Sequence, residues 1–201
     1  LSSALNIKQP VYIRPFANVA GSYKRIVKQN SDDDKNKQFD FIFAASGEPH
    51  KNHRLLIEAW CLLAAEKTLP SLCLTLDENM SLDLCNWIYQ KKERYGLKVQ
   101  NVGFLPHDQV LLLYSQSRAL IYPSLFESFG LPLIEASQVD LPVLAAELDY
   151  VRDVCDPTET FDPLSSVSIA RAVKRYMGTE EQALPLLDAA QFIDSLLGKE
   201  K

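Results

Sequence analysis

Short apolar runs alternate with amphipathic stretches along most of this 201-residue chain, and this alternation limits the possible folds more than any other feature. The apolar runs have no polar face, which is typical of strands buried on both sides of a sheet. They predict strands at residues 39–46, 71–77, 98–104, 118–124 and 142–147. The stretches between them carry apolar residues at helical spacing, so each strand is expected to lead into a helix.

The amphipathic stretches also carry residues that favour helix ends. A helix at 81–96 is predicted to begin at a capping Ser81 and to end at Gly96. The other predicted helices are 53–67, 106–117, 129–140, 165–177 with serine caps, and 180–198, which Pro185 interrupts. Strands that alternate with helices predict an α/β fold: a Rossmann-like, doubly wound parallel sheet with helices on both faces.

Residues 1–38 precede the regular pattern, and we interpret them as a lead-in or interdomain segment that ends in a polar, charged loop. Residues 39–201 form the predicted Rossmann-like domain. Ligands of such folds bind beyond the carboxyl ends of the strands, where the strand order reverses. The turns that follow the strands are therefore the places to look for functional side chains.

Composition and charge narrow the range of partners and compartments. The net charge is −5, which does not favour nucleic acid, and no apolar run is long enough for a transmembrane helix. The chain starts with Leu and lacks the features of a signal peptide, so we expect a piece of a longer protein. Its four cysteines (61, 73, 85 and 155) form no C-x-x-C pair, and three lie in apolar segments, which predicts reduced, buried thiols and a cytoplasmic location.

The turn after the first predicted strand, SGEPHKN, contains Gly47 and places Lys51 where the next helix begins. A lysine there is suited to a phosphate, although a capped turn with a solvated lysine would have the same sequence. The turn matches neither the dinucleotide fingerprint nor the P-loop, which argues against half of an NAD-dependent oxidoreductase. Because His50 and His53 have no third ligand at suitable spacing, no metal site is predicted.

The turn after the strand at 118–124 is more informative. If its helix starts near Phe129, the backbone N–H groups of Ser128 to Leu131 point away from the strand ends and form an anion site at the helix N-terminus. Gly130 would allow a ligand to approach the backbone closely, and Pro132 is tolerated in a first helical turn. This turn is therefore predicted to hold an anionic group.

Two glutamates flank that turn. Glu127 precedes the predicted helix, and Glu135 lies about one and a half turns inside it. Ionised carboxylates are strong acceptors for hydroxyl groups, so a ligand with hydroxyls at both ends and phosphates between them, such as a nucleotide sugar, would fit. The spacing by itself leaves a second interpretation open, in which Glu127 interacts with the helix dipole and Glu135 is a solvated surface residue.

The stretch PSLFESFGLPLIEA, at residues 123–136, resembles the E-x7-E motif of family-4 glycosyltransferases, which have the GT-B fold of two Rossmann-like domains. Residues 43–60, 99–130, 141–157 and 161–173 resemble further segments of that family in the same order. The resemblance thus extends over residues 39–177 and implies that this chain is one half of a GT-B fold, the C-terminal domain that binds the donor.

The resemblance implies a role for each part of the site. Glu127 would be catalytic and contact the donor sugar next to the reacting carbon, while Glu135 would bind the ribose hydroxyls. Lys51 would neutralise the diphosphate, stabilising the leaving group. The remaining positions are the backbone of Ser128, Phe129, Gly130 and Leu131 for the diphosphate, Gly47 as further support for it, and Gly103, Phe104 and Leu105 for the nucleobase.

The sequence departs from the family pattern in two turns. Many members carry an arginine six residues before the lysine, but here that position is Ala45. The turn TLDENMS after the second predicted strand lacks the glycines that are common there. Both departures leave the donor identity open.

The implied function is transfer of a hexose, with mannose as a candidate, from a GDP- or UDP-sugar to a glycan or lipid-linked acceptor in polysaccharide or lipopolysaccharide assembly. The reaction would retain the anomeric configuration and need no metal or other cofactor. The N-terminal acceptor domain of a GT-B enzyme has no counterpart in residues 1–38, so we expect this fragment alone to be inactive. The full-length protein would be cytoplasmic or peripheral at the inner face of the membrane. The alternative is a non-catalytic module that binds a nucleotide sugar or a partner.

Overall fold

A computed structural model describes residues 37–179 of the chain. Most of the predicted lead-in segment and the helix predicted at 180–198 lie outside the described residues. Within them, parallel strands form one six-stranded sheet. The strands are β1 (Phe39–Phe43), β2 (Leu72–Leu74), β3 (Val99–Asn101), β4 (Ser117–Tyr122), β5 (Val143–Ala146) and β6 (Glu159–Phe161).

The strand order is β3-β2-β1-β4-β5-β6, with every neighbouring pair parallel. Phe41 of β1 is paired with Leu72 of β2 on one side and with Ala119 of β4 on the other, so the strand order reverses beside β1. The α/β, doubly wound Rossmann-like prediction is confirmed. The reversal lies between β1 and β4, which makes the turns after these two strands the expected ligand site.

Helices connect the strands and cover the sheet. They are α1 (His53–Ala65), α2 (Leu82–Tyr95), α3 (His107–Ser115), α4 (Leu131–Gln138), α5 (Asp149–Arg152) and α6 (Ser166–Tyr176), with a short 3-10 turn at Pro49–Lys51 ahead of α1. Helix α1 packs against α2 and α6. No helix in the described part of the chain is long and apolar enough to cross a membrane.

The central strands form the core because their side chains are buried on both faces. Phe41 and Phe43 of β1 are fully buried, as are Leu120 and Ile121 of β4. The Trp60 ring packs edge-on against Phe41, with 5.6 Å between ring centroids, and its indole N–H donates to the backbone carbonyl of Pro70. A buried indole N–H needs such a partner, and this bond ties α1 to the segment that enters β2.

Two details at the helix ends differ from the sequence prediction. Helix α4 begins at Leu131 rather than near Phe129, because Gly130 is the N-cap in a left-handed conformation, with φ of 64°. Ser81 precedes α2, but its side chain makes no capping hydrogen bond, whereas Ser165 does cap α6 by accepting from Ser168 N–H. Gly96 ends α2 with φ of 63°, as predicted.

Strand β6 and helix α5 are absent from the sequence prediction. Strand β6 is an edge strand with the sequence Glu-Thr-Phe, and only Phe161 of it is buried, so it has no apolar run to reveal it. Residues 159–161 form a strand because they pair with β5, and this pairing is a tertiary contact that the sequence does not show. Helix α5 is too short to show helical periodicity.

The four cysteines are free thiols, as predicted. Only Cys73 is fully buried, and burial raises the pKa of its thiol to about 12. The side chains of Cys61, Cys85 and Cys155 are half-buried, so the prediction of buried thiols is correct for Cys73 alone.

Candidate functional site

The turns after β1 and β4 are joined to each other at the carboxyl edge of the sheet. Leu125 N–H donates to the His50 carbonyl at 2.8 Å, and the His50 ring stacks on the Phe126 ring with 4.5 Å between centroids. Asn52, buried and left-handed with φ of 64°, donates from Nδ2 to the carbonyls of Pro123 at 3.1 Å and Pro163 at 2.7 Å. These contacts hold the two turns at a defined separation.

Lys51 and Glu127 meet across these turns. Lys51 Nζ lies 2.8 and 2.9 Å from the two carboxylate oxygens of Glu127, and the two side chains are only 16% and 11% exposed. The Tyr122 hydroxyl donates to Glu127 Oε1 at 2.8 Å. Burial alone would raise the pKa of Glu127, but hydrogen bonds from Lys51 and Tyr122 outweigh it and lower the pKa. Glu127 is therefore an ionised acceptor held in place by two donors.

Glu135, on α4, is held in a similar way by two residues of α3. His107 Nε2 lies 2.8 Å from Glu135 Oε1, and the Tyr114 hydroxyl donates to Glu135 Oε2 at 3.3 Å. Tyr114 is fully buried, and burial raises the pKa of its phenol well above the ordinary value, so the phenol keeps its proton and remains a donor. Each glutamate of the predicted pair thus has one tyrosine and one nitrogen donor.

A cleft of about 830 Å³ opens beside these residues, lined by the turns after β1, β2 and β3 and by one face each of α3 and α4. It contains several of the predicted site residues: Gly47, Phe104, Leu105, Leu131 and Glu135. The Phe104 ring is 74% exposed, which leaves an aromatic face available to a planar ligand.

The other predicted site residues flank the cleft rather than line it. Lys51 ends the 3-10 turn that begins with the lining residue Pro49, and Gly103 directly precedes Phe104. Glu127 and the segment Ser128 to Gly130 form the turn between β4 and α4. The structure therefore gathers the predicted residues at one edge of the sheet, although only some of them face the same cavity.

The turn ahead of α4 presents free backbone donors. The N–H groups of Ser128, Phe129, Gly130 and Leu131 have no acceptor among the described residues. Glycine suits this position because its φ is positive, and an added Cβ would also lie in close contact, 3.1 Å, with a methyl group of Leu133. The anion site stays a prediction, and helix α4 begins two residues later than expected.

Gly47 has a packing role that sequence reasoning did not find. A Cβ at this position would lie 2.0 Å from Ser81 Oγ, so the turn after β1 can pack against the loop before α2 only if residue 47 lacks a side chain. Ala45, where many family members have arginine, lines the cleft as a small apolar residue.

The two histidines near this turn do not converge. His50 stacks on Phe126, whereas His53 is buried against Phe43 with 4.6 Å between ring centroids. Burial lowers the pKa of His53 to about 3, which makes it a neutral core residue. Metal independence of the chemistry stays a prediction.

Three residues that contact the glutamates escaped the sequence analysis: Tyr122, Tyr114 and His107. A signal for the last two exists, because residues seven apart on a helix lie on one face, and here that face also carries the cleft-lining Val110. Tyr122 ends an apolar strand and reads as a core residue. Only its contact with Glu127 reveals another role.

Replacing Tyr122 with Phe is expected to lower the free energy of unfolding by about 1–2 kcal/mol at pH 7, because a hydrogen bond to a charged, largely buried group is lost while the ring stays. Urea unfolding measures this change. Tyr89→Phe is the matched control, since Tyr89 is 62% exposed, and it should leave stability unchanged. Equal stability of Tyr122→Phe and the parent chain would show that the hydroxyl does not stabilise Glu127.

Comparison with known proteins gives a consistent match. The family described as "Glycosyl transferases group 1" matches residues 24–190. The chain is 30% identical over 183 residues to the serotype-specific mannosyltransferase WbdA of Escherichia coli, covering 88% of this chain and 22% of that protein. It is 29% identical over 114 residues to the O-antigen chain mannosyltransferase B of Escherichia coli, covering 56% of this chain and 30% of that protein. The chain therefore spans less than a third of either relative.

Solved structures share the fold. The C-terminal domain of a group 1 glycosyl transferase, LpcC of Francisella tularensis, aligns with a TM-score of 0.59 at 19% identity, over 82% of this chain and 85% of that one. Anabaena HepE, crystallised with UDP and glucose, aligns with a TM-score of 0.57 at 21% identity, over 79% of this chain and 43% of that one. The second alignment shows that a single Rossmann-like unit of this kind accounts for less than half of the longer structure.

Proposed function

This chain belongs to the group 1 glycosyltransferase family, and we propose that it is the donor-binding domain of a retaining hexosyltransferase that uses a nucleoside diphosphate sugar. The observation that carries the proposal is the pair of glutamates at the switch point of the sheet, each held by two donors beside an 830 Å³ cleft. The pair provides acceptors for hydroxyl groups, with free backbone donors between them in sequence.

The donor is assigned to the site from base to sugar. Phe104 and Leu105 pack against the nucleobase, and Glu135 accepts the ribose hydroxyls. The backbone N–H groups ahead of α4 bind the diphosphate, together with Lys51. An ammonium group has three donors, so Lys51 can bind a phosphate oxygen while it keeps a bond to Glu127.

Transfer of the sugar depends on the charges that develop on the leaving phosphate and at the reacting carbon. As the bond between the sugar and the diphosphate breaks, negative charge develops on the leaving phosphate, and Lys51 and the backbone donors stabilise it without rearrangement. Glu127, ionised and fixed by Tyr122, binds the hydroxyls of the sugar beside the reacting carbon, which carries positive charge in the transition state. No residue in this scheme requires a metal.

The substrate and pathway are further parts of the proposal. Two of the relatives named above are mannosyltransferases, one of an O-antigen chain and one serotype-specific. Their names favour mannose from a GDP- or UDP-sugar and a glycan or lipid-linked acceptor in polysaccharide assembly. We assign the acceptor to a second domain of the whole protein, in the cytoplasm or at the inner face of the membrane. Without that domain the cleft does not close over the donor, so this chain alone turns over little or nothing.

A second function is a nucleotide-sugar-binding module without catalysis. The observation that favours it is Ala45, which leaves the phosphates without a second cation at the end of β1. Both functions require donor binding. They differ in whether the whole protein transfers the sugar.

A binding screen tests the shared step. Calorimetric titration of the chain with GDP-mannose, UDP-glucose and ADP-glucose is expected to show binding of one nucleotide class. Glu135→Ala should weaken that binding about tenfold, because a charged acceptor of the ribose is lost. The exposed Glu93→Ala is the matched control and should bind as the parent does. A folded chain that binds none of the three nucleotide sugars would refute the proposed donor site.

A further inference from the structure

Helix α3 directs two polar side chains at one carboxylate of α4. His107 begins α3, Tyr114 lies seven residues later on the same face, and both contact Glu135. We propose that His107 and Tyr114 are positioning residues that hold the Glu135 carboxylate in the orientation that accepts the ribose hydroxyls of the donor. This inference rests on the proposed function and extends it to two residues that the family motif does not include.

The charge of Glu135 assigns the donors in this cluster. An ionised carboxylate only accepts hydrogen bonds, so the His107 Nε2 that lies 2.8 Å from Oε1 must carry a proton and donate it. The Tyr114 hydroxyl donates to the other oxygen, Oε2. Both oxygens of Glu135 are therefore oriented by protein donors before any ligand arrives.

The carboxylate keeps the capacity to bind a ligand. Its two oxygens offer about four acceptor sites, of which His107 and Tyr114 use one on each oxygen. One site on each oxygen remains, which matches two neighbouring hydroxyl donors such as the 2′ and 3′ groups of ribose. The Glu135 side chain is 18% exposed and lines the cleft, so a ligand in the cleft can reach the remaining sites.

Holding the carboxylate lowers the entropic cost of binding. A free glutamate side chain populates many rotamers. A ligand that binds only one of them reduces the side chain's conformational entropy, and this weakens binding. The fully buried Tyr114 is a rigid anchor, since it belongs to a helix that packs on the sheet through β4. His107 begins the same helix, and its side chain is 53% exposed. The Glu135 side chain therefore loses this conformational entropy during folding rather than during binding.

A purely structural role is the competing interpretation, in which the two contacts only join α3 to α4. The two interpretations predict different affinities for ligands with and without the ribose hydroxyls. A positioning role makes affinity depend on the ribose hydroxyls, whereas a structural role affects all ligands of the cleft alike. Removing a ribose hydroxyl from the ligand separates them.

The experiment measures calorimetric affinities of the 201-residue chain for GDP and UDP and for their 2′-deoxy forms. For the nucleotide that binds, the parent is expected to prefer the ribose form about tenfold. His107→Ala and Tyr114→Phe should each weaken binding of the ribose form by roughly three- to tenfold and affect the 2′-deoxy form less. His107→Gln, whose amide can donate from a similar position, should recover most of the loss.

Three controls make the result specific. Gln109→Ala changes an exposed residue of α3 and should bind like the parent. In a Glu135→Ala background, His107→Ala should have no further effect, because its partner is already absent. Thermal unfolding of each variant confirms that the chain is folded under the conditions of the titration.

Each outcome supports or overturns the proposal. Parent-like affinity in His107→Ala and Tyr114→Phe, or equal losses for ribose and 2′-deoxy nucleotides, would overturn the positioning role while leaving the donor site intact. If Glu135→Ala itself binds like the parent, the ribose contact of the proposed function fails, and the positioning role fails with it. A smaller preference for the ribose form in both variants, with recovery in His107→Gln, is the supporting result.

Discussion

Replacing Lys51 with Ala is expected to weaken binding of nucleoside diphosphates by about ten- to a hundredfold. The substitution removes the cation that we assign to the diphosphate, and it leaves the Glu127 carboxylate unpaired beside the incoming phosphates. Both changes act in the same direction, since one removes an attraction and the other adds a repulsion. Calorimetric titration with GDP and UDP measures the loss.

The same substitution is expected to destabilise the fold by roughly 1–3 kcal/mol at pH 7, because a largely buried charge loses its partner. In the parent the pKa of Glu127 is lowered from its ordinary value of 4.5, so the stability it contributes is present above that value and lost as pH falls through the folded pKa. Without Lys51 the folded pKa rises. The difference in stability between parent and variant should therefore narrow below about pH 4.5.

Two variants control for the Lys51 result. Lys98→Ala removes an exposed lysine of the same charge and should change neither binding nor stability measurably. Lys51→Arg keeps the charge and should retain more affinity than Lys51→Ala. If Lys51→Ala bound nucleoside diphosphates as tightly as Lys98→Ala, Lys51 would have no role at the phosphates.

Replacing Glu127 with Gln is expected to lower sugar transfer about 100- to 1000-fold in the full-length protein. The variant keeps the shape of the side chain but removes the charge that faces the reacting carbon in the proposed mechanism. Binding of the nucleoside diphosphate should be kept or become tighter, because Lys51 no longer shares its charge with a carboxylate. A loss of turnover without a loss of nucleotide affinity is the signature of a group that acts in the transition state.

Transfer is measured with the donor that the binding screen identifies, and nucleotide affinity is measured on the same preparation. Glu48→Gln is the control: Glu48 lies in the turn after β1 and lines the cleft, but its side chain accepts from Ser46 rather than from Lys51 or Tyr122. It should keep most of the transfer rate. Full activity of Glu127→Gln would remove Glu127 from the catalytic site, and an inactive parent would favour the binding-module alternative.

Much of the fold was predictable because strong local patterns specify it. The apolar runs at β1 and β4 are continuous, and both strands are central and buried on two faces. The edge strand β6 was not predictable, since a short strand with one buried residue carries almost no pattern of its own. The start of α4 was misplaced because the left-handed conformation of Gly130 is a property of the folded turn, and glycine is compatible with several positions near a helix start.

At the site, sequence reasoning found the residues that carry charge and missed those that orient them. Glu127 and Glu135 stand out because charges are conspicuous in an apolar segment that follows a strand. Tyr122 and Tyr114 are buried aromatics, and in a sequence such residues are indistinguishable from ordinary core. Gly47 was linked to phosphate binding, while the structure shows that its contact with Ser81 already demands glycine.

The sequence by itself determined the alternation of strands and helices, the parallel sheet, and the two glutamates eight residues apart. Periodicity and spacing are local properties, so they can be recognised in the sequence without knowledge of the fold. Only the tertiary structure decided what each glutamate touches. Lys51 and Glu127 are 76 residues apart in the chain, and His107 and Glu135 are 28 apart, so their contacts exist only because the sheet brings the turns after β1 and β4, and helices α3 and α4, to one edge.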